Sequence, residues 1–233
     1  MHPLVLIPGL NNTAAVFDGV VECLRKEGVE ALACDCPAIA DLDALARELL
    51  ATLPDRFWLG GFSFGGYVAL SMLAQAPERV QGLALICSSP QADTPAQSAA
   101  REAAIAKAME GDYAQLIAAQ APMAFHADSL QKAGLMAQRA AMVTAYGRDR
   151  FVAHQRAAIG RPDRTGLLRA PLPMLWVTAS DDRLFTPAAM EPLARSIEGM
   201  RYAQIDKAGH LAPMEQPHAV AQALAQWMGR SPS

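Results

Sequence analysis

Short apolar runs and amphipathic stretches alternate along most of this chain. Pro3 to Ile7 is continuous and apolar, the pattern of a strand buried on both faces of a parallel sheet. Ala14 to Lys26 sets Val16, Phe17, Val20 and Leu24 at helical spacing, and Gly28 stops the pattern. Val29 to Cys34 reads as a second strand. Asp41 to Leu53 reads as a helix with Leu42, Leu45, Leu49 and Leu50 on one side, closed by Pro54. Phe57 to Leu59 is a third strand, and Tyr67 to Gln75 a helix ending before Pro77. Val80 to Cys87, Pro173 to Ala179 and Arg201 to Asp206 follow as strands, and Ala219 to Met228 closes the series as an amphipathic helix. This alternation predicts an α/β fold with a doubly wound, mostly parallel sheet.

The alternation stops between the fourth and fifth strands. Residues 91–168 are helical in pattern and rich in Ala, Gln, Met and Arg, with Pro122, Gly134, Gly147 and Gly160 as punctuation. They predict a helical cap inserted into a core made of residues 1–90 and 169–233. Arg161-Pro162-Asp163, where the cap returns to the core, reads as a structural ion pair or helix cap.

Composition narrows the classes of function. Hydrophobic residues make up 52% of 233 residues, enough for a sizeable core. The net charge of -3 is small and evenly spread, which argues against a nucleic-acid partner. No apolar stretch is long enough to cross a bilayer, so no membrane association is expected. Met1 to Gly9 lacks a basic leader and ends at Pro8-Gly9 after a strand's length, so it reads as core and a cytoplasmic location is expected. The four cysteines, Cys23, Cys34, Cys36 and Cys87, form no disulfide framework or zinc spacing and read as free thiols. No metal cluster and no phosphate loop is evident, so no cofactor is expected.

The chemistry concentrates in Gly61-Phe62-Ser63-Phe64-Gly65-Gly66, set between a predicted strand and a predicted helix. A serine flanked by glycines at such a junction is the pattern of a nucleophile elbow. The turn is so tight that side chains at 61 and 65 would collide with neighbouring backbone, and Ser63 itself is expected to be strained. The Phe64 N–H, at the helix start, points toward the same space. A serine needs a base to become nucleophilic. Of the five histidines, His210 in Gly209-His210-Leu211 follows a strand, with Gly209 expected to permit a tight turn; His2, His126, His154 and His218 are less well placed. An orienting acid should end the strand before it, where Asp181 and Asp182 stand; Asp182 is favoured.

The order Ser63, Asp182, His210, with Pro8-Gly9-Leu10, Asp182 to Pro187 and Glu215-Gln216-Pro217, resembles the α/β-hydrolase superfamily. The likeness is to its compact carboxylesterase, enol-lactonase and pimeloyl-ester esterase-like group. It covers nearly the whole chain except the cap. The resemblance implies a sheet trimmed at its N-terminal edge and an oxyanion hole formed by the N–H groups of Leu10 and Phe64. It implies a serine hydrolase acting on a small carboxylic ester or lactone through an acyl-enzyme. Asn11 and Asn12 either line the pocket entrance or cap the next helix. Phe62, Met123 and Phe125 join Asn11 as expected substrate contacts, with Met142 another cap residue that could face the acyl pocket. A thioesterase or a triad-based lyase or C–C hydrolase is an alternative on the same fold, and a low-turnover ligand receptor is another. The expected partner is a small-molecule ester; a homodimer stays open.

Overall fold

In the computed structural model the described residues are 2–229; Met1 and residues 230–233, which the expected core includes, lie outside them. Six strands form one sheet: β1 (Leu4–Ile7), β2 (Ala31–Ala33), β3 (Phe57–Phe62), β4 (Val80–Ile86), β5 (Met174–Ala179) and β6 (Met200–Ile205). Their spatial order is β2-β1-β3-β4-β5-β6, and every neighbouring pair is parallel. The central strands are apolar because both faces are covered. In β1, Leu4 and Leu6 enter one hydrophobic cluster while Val5 and Ile7 enter the other. The same two-residue alternation runs through β5, with Met174 and Trp176 on one side and Leu175 and Val177 on the other.

Helix α1 (Asp18–Lys26) and, near the end of the chain, the one-turn α10 (Ala212–Glu215) and α11 (Pro217–Trp227) cover the face that buries Leu4 and Leu6. Helices α2 (Leu42–Leu50), α3 (Phe64–Gln75) and α9 (Pro187–Arg195) cover the other. Asp41 starts α2 as the pattern requires, its carboxylate accepting the Ala44 N–H at 2.7 Å. Some boundaries differ from the sequence reading. The strand expected at Val29–Cys34 shortens to the edge strand β2, and the helix expected from Ala14 begins as a 3-10 turn (Ala14–Phe17) before α1.

Between β4 and β5 the chain leaves the sheet and forms α4 (Pro95–Glu110), α5 (Tyr113–Ala118), α6 (Ala121–Ala124), α7 (Ala133–Tyr146) and α8 (Arg148–Ile159). Thr94 and Gln97 begin α4 with a reciprocal capping box, and Pro95 fits its first turn. These helices bury a small cluster of their own, including Ile105, Ile117, Val143 and Phe151. At its foot, Arg161 pairs with Asp93 at 2.6 Å, while Asp163 accepts the Thr165 N–H at 2.8 Å in a local turn and caps no helix: the N-cap of the following 3-10 turn is Arg164, without a side-chain cap.

The strand order reverses between β1 and β3. Crevices in parallel sheets open outside the carboxyl ends of strands at such a switch. The loops that leave β1 and β3 carry Leu10 and Ser63.

Candidate active site

Ser63 lies between β3 and α3 at φ 54° and ψ -119°, a conformation that L-residues avoid. The surrounding glycines show what imposes it. A Cβ on Gly61 would lie 2.3 Å from the Gly65 carbonyl oxygen, and one on Gly65 would lie 2.1 Å from that of Ile7. The turn is pinned from β4: the Ser63 N–H donates to the Ile86 carbonyl at 2.9 Å, and the Ser88 hydroxyl donates to the Ser63 carbonyl at 2.7 Å.

His210 Nε2 lies 2.9 Å from Ser63 Oγ, and His210 Nδ1 lies 2.9 Å from Asp182 Oδ2. The other carboxylate oxygen of Asp182 accepts the N–H groups of Leu184 and Phe185 at 2.8 and 3.0 Å. Burial by itself would raise the Asp182 pKa. The imidazole beside it and these two amides outweigh that and hold the carboxyl below its ordinary value. An acceptor-only carboxylate at Nδ1 fixes the tautomer: Nδ1 carries the proton and Nε2 is free to accept the serine proton. Asp181, the rival acid, instead accepts from Ser180 Oγ, and its carboxylate lies 3.8 Å from His126 Nε2.

Gly209 was expected to permit a tight turn. Its φ is not in the left-handed region; Lys207, at φ 52°, takes that role. What requires glycine at 209 is close approach, since a Cβ there would lie 2.6 Å from the backbone of Phe125. Glu215 secures this contact. It accepts the Gly209 N–H at 2.9 Å and the His126 N–H at 2.8 Å, so it ties the His210 loop to the cap.

A cavity of about 660 Å³ opens over Ser63 and His210, between the sheet and the inserted helices. Leu10 and Phe64 both line it, Phe64 as the first residue of α3, where amides have no intrahelical acceptor. Asn11 lines it too, at φ 60°, with its side-chain oxygen accepting from Tyr113 at 2.9 Å. Asn12 is a wall residue and not a helix cap; its amide donates to the Leu10 carbonyl. Phe125 is buried against the cavity.

Three expected contacts fall elsewhere. Phe62 is not part of the wall: it points into the core, edge-on to Phe17 and tilted against the His210 ring, because alternation along β3 turns it to the face that buries Leu4 and Leu6. Met123 is 47% exposed on the outer side of α6, a helix of one turn that gives only one side to the cavity. Met142 is buried in the core cluster beside Phe125, while its neighbours Arg139 and Val143 reach the cavity.

The structure adds residues that the sequence reading missed. Phe185 stacks on His210 with 5.7 Å between ring centroids. Cys87, at φ 45°, sets its thiol against Asp182, and burial raises its pKa. Cys87, Asp182 and His210 are the one grouping of possible metal ligands among the described residues, but Asp182 and His210 already bind each other. His154 is sealed behind the site. It stacks on Phe64 at 4.7 Å, donates from Nε2 to the Pro37 carbonyl and accepts from Tyr146 at Nδ1. Burial holds its pKa down to about 4.

The sequence profile of the alpha/beta hydrolase family matches residues 4–223. The chain belongs to this family. Within it, a pimeloyl-[acyl-carrier protein] methyl ester esterase of Nitrosomonas europaea is 39% identical over 95 residues, 37% of each chain. The matched stretch thus spans little more than a third of that relative. Among solved structures, a thermophilic esterase of Thermogutta terrifontis, with malate bound, superposes with TM-score 0.89 at 25% identity, covering 98% of this chain and 90% of its own. The enol-lactonase of Burkholderia xenovorans superposes with TM-score 0.85 at 19% identity, covering 99% and 92%. The second likeness is one of fold. No helix among the described residues of this hydrolase-family chain is long and apolar enough to cross a membrane.

Proposed function

We propose that this α/β-hydrolase is a serine esterase that cleaves a small carboxylic ester or lactone. The observation that carries the reading is the unbroken relay from Asp182 through His210 to Ser63, with 2.9 Å at each step, on the floor of a cavity. Ser63 Oγ attacks the ester carbonyl as His210 Nε2 takes its proton. Asp182 stabilises the imidazolium and stays ionised. The Leu10 and Phe64 amides hold the oxyanion, the second aided by its place at a helix N-terminus. His210 returns the proton to the leaving alcohol, and water activated by the same imidazole releases the acid. The relatives named as methyl ester esterases support a small alcohol as leaving group.

The test is covalent. A fluorophosphonate should label Ser63 alone, by peptide mass spectrometry, and short-chain methyl esters should compete with it. Label at another residue, or none, rejects the reading.

A further inference from the structure

Among the described residues the cavity wall holds two arginines and no aspartate or glutamate. Their situations differ. Arg101 is neutralised by Asp93, which it grips through Nε and Nη2, and its Nη1 donates to Gln155 at 2.7 Å. Arg139, on α7, has no carboxylate in contact among the described residues. Its partners are both neutral: Nη1 donates to the Asn11 carbonyl and to Asn12 Oδ1, each at 2.6 Å. Its Nε and Nη2 make no hydrogen bond within the described chain and are not sealed from solvent, and Arg139 itself lines the cavity. Burial lowers its pKa to about 10, and only Tyr113 and Tyr146 oppose that. The guanidinium therefore stays charged at neutral pH.

A cation withdrawn from water without a counter-ion carries a penalty that a bound anion would relieve. The unused Nε and Nη2 form one edge of the planar fork, the edge that grips a carboxylate through two parallel hydrogen bonds. Its place is also specific. Asn11 follows Leu10 directly, so at the chain's reach per residue the guanidinium lies within roughly 10 Å of the Leu10 amide. The spacer between the two polar ends of a ligand is then a few methylene groups, along a wall whose apolar part is chiefly Ala, Phe and Leu.

We propose that the substrate carries a carboxylate beside its scissile ester, and that Arg139 binds it through Nε and Nη2. This rests on the esterase reading above. The ligand class is the monoester of a dicarboxylic acid or a carboxylated lactone. Arg139 meanwhile keeps Nη1 on the Asn11–Asn12 turn, so binding the anion also braces the loop that carries the Leu10 amide.

The test compares monomethyl esters of linear dicarboxylic acids, in a series of chain lengths, with methyl esters of monocarboxylic acids of matched length. The expected wild-type result is a kcat/KM preference for the charged ester of about tenfold to a hundredfold at the best length, the range for hydrogen bonds to a charged group. In Arg139→Gln that ratio should fall to near one, chiefly through KM. Arg139→Lys, which keeps the charge but loses the fork, should be intermediate. The same pairs are titrated calorimetrically into Ser63→Ala protein, where the charged ester should bind more tightly. Equal treatment of charged and neutral esters by the wild type overturns the proposal. So does an Arg139→Gln that lowers both by one factor, which would make Arg139 only a loop brace. Tighter binding of the charged ester with no hydrolysis at all would instead count against the esterase reading and leave the anion site standing.

Discussion

Ser63 is held where glycine would be at ease, and that strain makes a prediction about stability. A residue at φ 54° and ψ -119° carries about 1–3 kcal/mol of backbone strain. Ser63→Gly should therefore unfold at higher urea concentration than Ser63→Ala, by about 1–2 kcal/mol. Both should lose on the order of a millionfold in ester turnover. Either variant keeping a tenth of wild-type activity would dismiss Ser63 as nucleophile. His154 gives a second prediction, in pH. The unfolded chain takes a proton on this residue near 6.5, whereas the folded site resists it until about 4. Its contribution is thus whole above pH 6.5, drains away as pH falls through that window, and levels near 4. At about 1.4 kcal/mol per pH unit the full loss is about 3 kcal/mol. Glu215 acts in the opposite sense, since burial raises its pKa and the folded chain takes up a proton before the unfolded one. Urea unfolding at several pH values should show a shallower loss on acidification in His154→Gln than in wild type. Parallel curves for the two proteins would exclude this role.

The strand β3, its turn and the helix α3 form the element on which the site depends, and its glycines are not equivalent. At Gly65 an added Cβ meets the backbone of Ile7 and Pro8, which β1 holds fixed. At Gly66 it meets Ser88 Oγ at 2.2 Å and Ser88 Cβ at 2.7 Å; the hydroxyl can rotate at the expense of its hydrogen bond to Ser63, but the Cβ moves only with the loop after β4. Gly65→Ala should lose about 3 kcal/mol or more by displacing β1 from the turn, and Gly66→Ala less, about 1–2 kcal/mol with reduced kcat, because it displaces one loop residue. Thermal unfolding and ester kinetics of the pair check the order; the reverse order would refute it. This element was legible in the sequence because tight turns and two-faced burial leave compositional marks: glycines at fixed offsets, and uninterrupted apolar strands. The proximity of His210 and Asp182 to Ser63 was legible for the same reason, as residues standing just past strands. What was obscure needed the third dimension. The strand face that Phe62 takes depends on where β3 ends, three residues beyond Leu59. The exposure of Met123 depends on α6 being one turn long. Arg139 did leave a trace: Met136, Arg139, Ala140 and Val143 fall on one helical stripe and all line the cavity. A charge set within an apolar stripe was the signal, and an Ala-rich background masked it.

At the scale of the whole molecule, a sheet and a helical insertion share one cavity, and the two ends of the insertion are joined at its base. The side chain of Asp93, just before α4, is sealed from solvent between Arg101 and Arg161. Arg161, just after α8, also donates to the Gln91 and Ala158 carbonyls and lies 3.8 Å over the Tyr67 ring of α3. One carboxylate thus holds the start of the insertion, its end and the core helix under it in register. The helices above have a separate small hydrophobic cluster, and they meet the core through this clamp, the His154 contacts, the Glu215 link, the Tyr113 and Arg139 bonds to the Asn11–Asn12 turn, and the core burial of Phe125, Met142, Ala157 and Ala158. Removing the charge while keeping the shape should release them first. In Asp93→Asn the buried Arg161 and the half-buried Arg101 lose their counter-ion, a loss of about 3–5 kcal/mol for breaking the buried pair. The expected outcome is early protease cleavage within residues 91–168, ahead of any in the sheet, and a kcat/KM that falls while Ser63 still reacts with a small fluorophosphonate. The small probe needs only the relay on the strands, whereas an ester that fills the cavity needs both walls. Cleavage that starts in the core instead, or an unchanged digestion pattern, would show that the insertion is seated by other contacts.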